Sequence, residues 1–439
     1  MRKIFILSVL LSIVSFTIAQ KWDGTTKTPV TPNKNIYTIT NGAELAWVAQ
    51  QCNDGTQDFK GRTILIAEDI DLDNHEWTPI GTADHPFKGN VIGNWKVISN
   101  LFISGTNDYV GLLGYASGDN DNHYNTIATI SIENVDIKGG TAVGAIAGFV
   151  KFVAFDSCSV IEGTVEGNTA VGGFVGHCSY AAAMDCFAKV DVTANTTYGG
   201  GFVGINDTSN VRMFINYAFA KGKVTGPGTN GGFVGLNNNK VKSAYTVTNP
   251  INGATFGGFC GENSDTGKFE NCYFCNSYTQ GIQGIGKDLG NVDEHDMLGN
   301  ASFQMTQDGF VGTGSGNGLN GADYGKTHWS TDFKSPHPRI NDGHPILTWF
   351  YTLKYDSTAS ITSYTSAINI YPNPIKNELR IKTENIVVER VEIVDLLGKA
   401  IITLKSGFEF IDVNHLNNGI YFVKIYTNND IITRKVIKQ

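Results

Sequence analysis

The pentapeptide GGFVG occupies residues 172–176, returns unchanged at 200–204 and 231–235, and recurs as GGFCG at 257–261. Looser copies precede it: GAIAG at 144–148 and VGLLG at 110–114. The glycines that carry the phrase are Gly111, Gly114, Gly144, Gly148, Gly172, Gly173, Gly176, Gly200, Gly201, Gly204, Gly231, Gly232, Gly235, Gly257, Gly258 and Gly261. The last glycines of successive copies lie 34, 28, 28, 31 and 26 residues apart, and a degenerate GIQGIG ending at Gly286 adds a step of 25. A self-similar period in this range is the signature of a solenoid or array.

A second apolar phrase follows each copy: DSCSV around Cys158, MDCFAKVDV around Cys186, INYAFAKGKV around Tyr217, KSAYTV around Tyr245 and ENCYF around Cys272. Each unit thus holds two strand-like phrases joined by Gly/Asn/Thr turns, with no helical periodicity between them. Helical repeats and βαβ crossovers are excluded. The units are also too short for the blades of a propeller, which take about 40 residues each. The pattern predicts an all-β chain built on a right-handed parallel β-helix, one coil per unit. Seven or eight such units, with rungs about 4.8 Å apart, give a rod on the order of 35–40 Å. Equivalent residues then stack in columns. A glycine column marks either a sharp turn or a close approach with no room for a Cβ. Phe174, Phe202, Phe233 and Phe259 read as a column of core aromatics.

An open coil exposes apolar core and strand edges, so the ends need caps. Asn41 is placed to cap a short helix that buries Leu45, Val48 and Cys52 at helical spacing, a plug over the first coil. Trp77, Trp95, Trp329, Trp349 and Tyr351 fall in the end regions and read first as cap packing, with a sugar platform as the alternative.

Composition agrees with this. The chain has 439 residues, of which 51 are glycine and only 17% are charged, a mix poor in helix formers. Arg2 and Lys3 precede the apolar run IFILSVLLSIVSFTIA, and Thr17 and Ala19 are small residues at −3 and −1 before Gln20. This pattern predicts a secretory signal cleaved between Ala19 and Gln20. The alternative, a membrane anchor, is disfavoured by the shortness of the run. No later segment reads as a membrane span. Without Arg2 and Lys3, 31 basic residues face 41 acidic ones, a net of −10. That balance argues against nucleic acid or an anionic membrane as partner. Seven cysteines are too few and too scattered for a disulfide framework, though a secreted chain could form one or two bridges.

The glycine phrases resemble the GLUG motif of bacterial surface proteins, over roughly residues 61–350. YTITNGAELAWVAQQC and TILIAEDIDLDNHEWTPIG resemble the opening of such arrays, and HPRINDGHPILTWF the closing segment. An insertion, ASGDNDNHYNT from Ala116, departs from the pattern, as does Ala147 where other copies have Val or Cys. The C-terminal stretch is similar to the type A sorting domain of the type IX secretion system of Bacteroidetes. The resemblance rests on SAINIYPNPIKNELRIKT from Ser366, VERVEIVDLLGKAI, and LNNGIYFVKIYTNNDIITRKVIKQ, with Tyr371, Pro372, Asn373, Pro374, Gly398, Gly419 and Tyr421 as motif residues. It implies a small β-sandwich that acts as an address: periplasmic entry by the signal, passage across the outer membrane, and release or surface attachment. The type IX machinery is the implied partner.

Chemistry is sparse. There is no HExxH and no GxSxG, and GTGSGNG from Gly312 lacks the strand and helix of a phosphate cradle. Asp69, Asp71 and Asp73 read as the solvated side of a strand rather than a calcium site, and GDNDNH from Gly118 as an exposed loop. Cys272 and Cys275 have redox or zinc spacing, but Cys272 shares a repeat column with Cys158 and Cys186, which favours buried structural thiols; a bridge between Cys158 and Cys186 stays conceivable. Lyases on acidic sugars need clustered cations, yet Arg212 is the only arginine between Arg62 and Arg339. Hydrolases need two facing carboxylates; Asp156 and Asp185 approach one column, which breaks at Asn216.

The expected organisation is a signal peptide at 1–19, an N-terminal cap and first coils at 20–100, GLUG-like coils at 101–290, a C-terminal cap at 291–355, a Ser/Thr linker at 356–366 and the sorting domain at 367–439. No catalytic, metal or cofactor site is expected. The expected role is adhesion, or binding of a surface glycan or protein. A polysaccharide lyase or hydrolase and a purely structural spacer are the alternatives.

Overall fold

The computed structural model describes residues 21–120, 124–207, 213–277, 282–290 and 297–300, then 319, 328–330, 341 and 344–351, and in the C-terminal region 368–383, 388–395, 400–408, 410–427 and 431–438. The chain is nearly all β, with a parallel solenoid of about nine turns. The rungs are explicit in the register. Tyr37 pairs with Ile64, Ile64 with Val91, Val91 with Ile127 and Ile127 with Phe155, all parallel. A second ladder runs Ile70–Ile98–Ile132–Val160–Ala188, and a third Leu113–Ala147 and Val175–Val203–Val234–Cys260–Ile285. Nine turns exceed the seven or eight read from the glycine phrase because the first coils, through Ile64 and Val91, close without it. The long step from Val91 to Ile127 absorbs the insertion that starts at Ala116.

Alternation drives the coil. In Ser131–Lys138, for example, Ile132, Val135 and Ile137 are buried while Asp136 and Lys138 are exposed. Corners are built from residues of no common chemistry. Thr129, Ser157, Asp185, Tyr217, Ser243 and Asn271 all take a left-handed φ between 47° and 55°. Each precedes a small or aliphatic buried residue: Ile130, Cys158, Cys186, Ala218, Ala244 and Cys272. A left-handed L-residue costs roughly 1–2 kcal/mol, so the buried column behind the corner must offset it at every turn.

The phenylalanine column is present. Phe174, Phe202, Phe233 and Phe259 stack with centroids 4.6, 5.0 and 4.7 Å apart and planes within 16°. A second stack, Phe187–Phe219–Tyr245, has spacings of 4.6 and 5.1 Å. Both follow the rung spacing, and Phe155 and Phe269 close the first stack edge-on.

At the N-terminal end the helix Gly42–Asn53 buries Leu45, Ala46, Val48, Ala49 and Cys52. The Glu44 amide donates to Asn41 Oδ1 at 3.1 Å, and the Thr40 amide to Glu44 Oε2 at 2.6 Å, so both sides of the cap are satisfied. The expected helix, with its Asn41 cap and buried face, is therefore there. Trp77 is buried, whereas Trp95 is 42% exposed; Trp329 is buried on the strand Trp329–Ser330, which pairs antiparallel with Ile346–Leu347.

The C-terminal region has its own core. A three-stranded antiparallel sheet (Ile368–Tyr371, Glu378–Thr383, Ile411–Asp412) and a four-stranded one (Ala400–Leu404, Val388–Val394, Gly419–Thr427, Ile431–Lys438) enclose aliphatic residues including Leu379, Ile381, Val391, Ile393, Val423 and Val436.

Candidate functional site

The glycine phrase has a steric cause, and of its two readings it is the close approach that holds. None of the sixteen motif glycines has a left-handed φ. Instead, a Cβ on Gly172 would lie 2.1 Å from the Val175 carbonyl oxygen and 2.7 Å from the Gly204 amide of the next coil. Gly200, Gly231 and Gly257 repeat this geometry against Gly235, Gly261 and Gly286. Middle glycines face the next coil's carbonyl: Gly173 that of Gly201, Gly201 that of Gly232, and Gly232 that of Gly258, each within 2.3 Å of a virtual Cβ. Gly258 would instead strike the Phe274 ring. Closing glycines 148, 176, 204, 235 and 261 meet backbone of the preceding coil, and Gly111 and Gly114 meet the carbonyls of Gly144 and Gly81. First and last glycines of adjacent coils therefore interlock, and Gly144 with Gly176 begins the series. They are structural, and they aim no chemistry at solvent.

One residue type legible only afterwards runs beside them. Asn206, Asn237 and Asn263 are fully buried and paired in register. Asn206 Nδ2 donates to Asn237 Oδ1 at 2.8 Å, Asn237 Nδ2 to Asn263 Oδ1 at 3.0 Å, and Asn263 Nδ2 to Asp288 Oδ1 at 2.9 Å. The signal was Gly-x-Asn at the end of each phrase, beginning at Gly204, Gly235 and Gly261. In the coil before, Cys178 occupies the column and pairs with Asn206.

The candidate chemical groups are dispersed. Asp69 Oδ1 accepts the Val97 amide, Asp71 Oδ1 accepts the Asp73 amide and Asn100 Nδ2, and Asp73 pairs with Lys21. They hold turns and neighbouring coils, and no group of three metal-type side chains converges among the described residues. In the insertion, Asp119 pairs with Lys60 at 2.9 Å; its positions 121–123 lie outside the described residues. All seven cysteines are buried and unbridged. Burial pushes the Cys52 thiol up to about 12 and raises Cys178 and Cys260 as well, which disfavours the reactive thiolate. Ser159 pairs with Phe187, which puts Asp185 level with Ser157 rather than with Asp156. The two carboxylates thus lie in different columns, because Asp185 occupies the left-handed corner and Asp156 the position before it.

What the solenoid does present is an extended polar face. Thr164 lies between Asp136 and Asp191, and Glu166 between Lys138 and Thr193. Neighbouring coils are tied across it. Lys138 Nζ meets Glu166 at 2.9 Å, Lys223 Nζ meets Asp191 at 2.7 Å, and Thr193 Oγ1 lies 3.3 Å from Thr225 Oγ1. Lys138, with Asn195, holds the Glu166 carboxyl below the ordinary carboxylate range. Thr169, Thr196 and Thr197 continue it with hydroxyl contacts of 2.9 and 3.2 Å. A hollow of about 460 Å³ lies by the cap helix, lined by Cys52, Asp58, Asp84, His85 and Lys88 among others. Its Asp58 and Lys88 neutralise each other at 3.1 Å.

In the C-terminal region the Tyr371–Pro374 motif follows the first strand and is pinned to the last: the Ile437 amide donates to Asn373 Oδ1 at 2.9 Å, and the Ile375 amide to the Ile437 carbonyl at 2.7 Å. Tyr371 is 44% exposed. Tyr421 donates to the Asn417 carbonyl at 3.0 Å, and Gly419 begins the strand Gly419–Thr427 with open space where a Cβ would be. Gly398, Ala19 and Gln20 lie outside the described residues.

A β-solenoid followed by a small antiparallel sandwich fits a surface repeat protein with an export tail. Residues 369–439 match the family model described as the secretion system C-terminal sorting domain. This is the tail of type IX secretion, so the chain is a type IX cargo whose tail engages that machinery. No curated protein and no solved structure matches the chain. Among the described residues no helix is long and apolar enough to cross a membrane.

Proposed function

We propose that the solenoid is a non-catalytic binding module, an adhesin for a surface glycan or protein, carried outward by the type IX tail. The coils are GLUG-type repeats in this reading. The chain enters the periplasm by a signal cleaved between Ala19 and Gln20, and the functional units are a capped body to about residue 355, a linker and the tail. The supporting observation is the polar face of Asp136, Thr164, Asp191, Lys138, Glu166 and Thr193, continued by Thr225. Side chains repeat there about every 4.8 Å across coils and roughly 6.6 Å along strands. Such a lattice offers many weak hydrogen bonds whose contributions add along an extended ligand. Catalysis needs a few groups fixed around one reacting bond, and on this face Glu166 and Asp191 are already paired with lysines of neighbouring coils.

The test is binding of the secreted full chain to panels of glycans and matrix proteins, beside Thr164→Glu/Thr193→Glu, with an assay for released reducing or unsaturated sugar. Saturable binding lost in the double variant is the expected outcome. Released sugar would refute the non-catalytic reading, and binding unaffected by the substitutions would move the site off this face.

A further inference from the structure

The two outer faces of the sorting domain differ. On the outer side of the four-stranded sheet Tyr426 is tied down, and Phe422, which alternates with the buried Val423, is half-buried. Arg390 lies 3.8 Å over the Tyr426 ring, Tyr426 donates to Glu392 at 2.6 Å, and Arg390 reaches Glu392 at 3.5 Å. On the three-stranded sheet the aromatics are left open. Tyr371 pairs directly with Arg380 across the strands, which puts both side chains on one side of the sheet. The next residues inward, Leu379 and Ile381, are buried, so Arg380 points outward. Its guanidinium lies 4.7 Å from the Phe410 ring centroid. Phe410, beside the strand Ile411–Asp412, is 62% exposed, the highest value among the exposed large apolar residues described.

We propose that the row Tyr371–Arg380–Phe410 is the surface by which a protein of the secretion machinery grips the tail. The proposal rests on the sorting-domain assignment, which supplies the class of partner. The chemistry supplies the contact. Aromatic residues and arginine are enriched at the buried centres of protein interfaces, and they dominate binding there. An exposed phenylalanine contributes nothing to the fold's own core, and this one is held in place by a cation above its ring. Glu378 Oε1 accepts from Arg380 Nε and Nη2 at 2.9 and 2.6 Å, so one edge of the guanidinium is fixed while the side chain stays 40% exposed. The fitting partner has an apolar socket for Phe410, flanked by a carboxylate or carbonyl for the free edge of Arg380.

The experiment follows export of the full chain in its native host, comparing wild type, Phe410→Ala, Arg380→Ala, the double variant, Arg380→Lys, and a chain lacking residues 369–439. Ile401→Ala is the control, since Ile401 is exposed on a strand of the other sheet. Each single truncation weakens capture about tenfold, the scale of an interface anchor, and the double variant accumulates in the periplasm. Arg380→Lys keeps the charge but loses the planar fork, so it is retained too, while Ile401→Ala is exported normally. Thermal unfolding of the purified full chains, unchanged in Phe410→Ala, separates capture from folding. Normal export of the double variant with the tailless chain trapped overturns the proposal and leaves the tail as the address. Export of the tailless chain overturns the assignment beneath it. Equal retention of Ile401→Ala, or a concentration-dependent dimer of wild type abolished by Phe410→Ala, reassigns the row to general exposure or to self-association and also overturns the proposal.

Discussion

The solenoid and the C-terminal sandwich both bury β-strands, but a core residue has different company in each. In the solenoid it lies against its own equivalent one coil away, phenylalanine on phenylalanine and asparagine on asparagine. In the sandwich, strands run antiparallel and, among the described residues, eleven buried aliphatic residues, eight of them on the two sheets, meet with no repeat. Like-on-like stacking amplifies both favourable and unfavourable choices. It makes a run of stacked rings or amides possible, and it penalises like charges repeated about 4.8 Å apart. The polar face obeys this: Asp136–Thr164–Asp191 separates its carboxylates with a hydroxyl, and Lys138–Glu166 alternates sign.

The comparison breaks most readily at Phe202, which stacks on a ring on each side. Phe202→Ala is expected to destabilise the solenoid by about 3–5 kcal/mol, read from the shift of its urea midpoint. An unchanged midpoint would remove Phe202 from the core and undo the coil register.

Glycine sharpens the contrast within the solenoid. A Cβ on Gly200 would sit 2.0 Å from the Val203 carbonyl oxygen and 2.8 Å from the Gly235 amide. Gly200→Ala therefore forces backbone shifts in two coils and is expected to cost about 2–3 kcal/mol. Ser157→Gly, at a left-handed corner with φ 54°, is expected to change stability by less than about 1 kcal/mol, since relief of the corner offsets the added freedom of the unfolded chain. If alanine at 200 were tolerated, the interlocking of coils would not be what the repeat maintains.

Much of this was legible because stacked columns write the same residue at a fixed period. The phenylalanine and glycine columns share one phrase, and the spacing of Leu45, Val48 and Cys52 announced the helix. Corners were not legible. Thr129, Ser157, Asp185, Tyr217, Ser243 and Asn271 share a backbone conformation and no side-chain chemistry, since the cost of about 1–2 kcal/mol at each is carried by the buried residue that follows. That hidden corner is why the spacing of Asp156 and Asp185 reads as one column. The first coils, expected within 20–100, add to the turn count read from the glycine phrase, because Tyr37, Ile64 and Val91 fill the core with no such phrase to mark them.

By itself the sequence determined the period, the all-β coil, the aromatic column and the sorting tail, because each is an identity repeated or ordered along the chain. Only the tertiary structure decided that the glycines serve close approach rather than turning, that the asparagines join into one buried ladder, and that Tyr371, Arg380 and Phe410 form one row. Those facts depend on which atoms face each other across rungs and strands, and hydrogen-bonded register sets that at a precision of single residues. A shift of one position would send Asn237 away from Asn206 and Tyr371 away from Arg380, and for Tyr371 and Arg380 nothing along the chain marks that position.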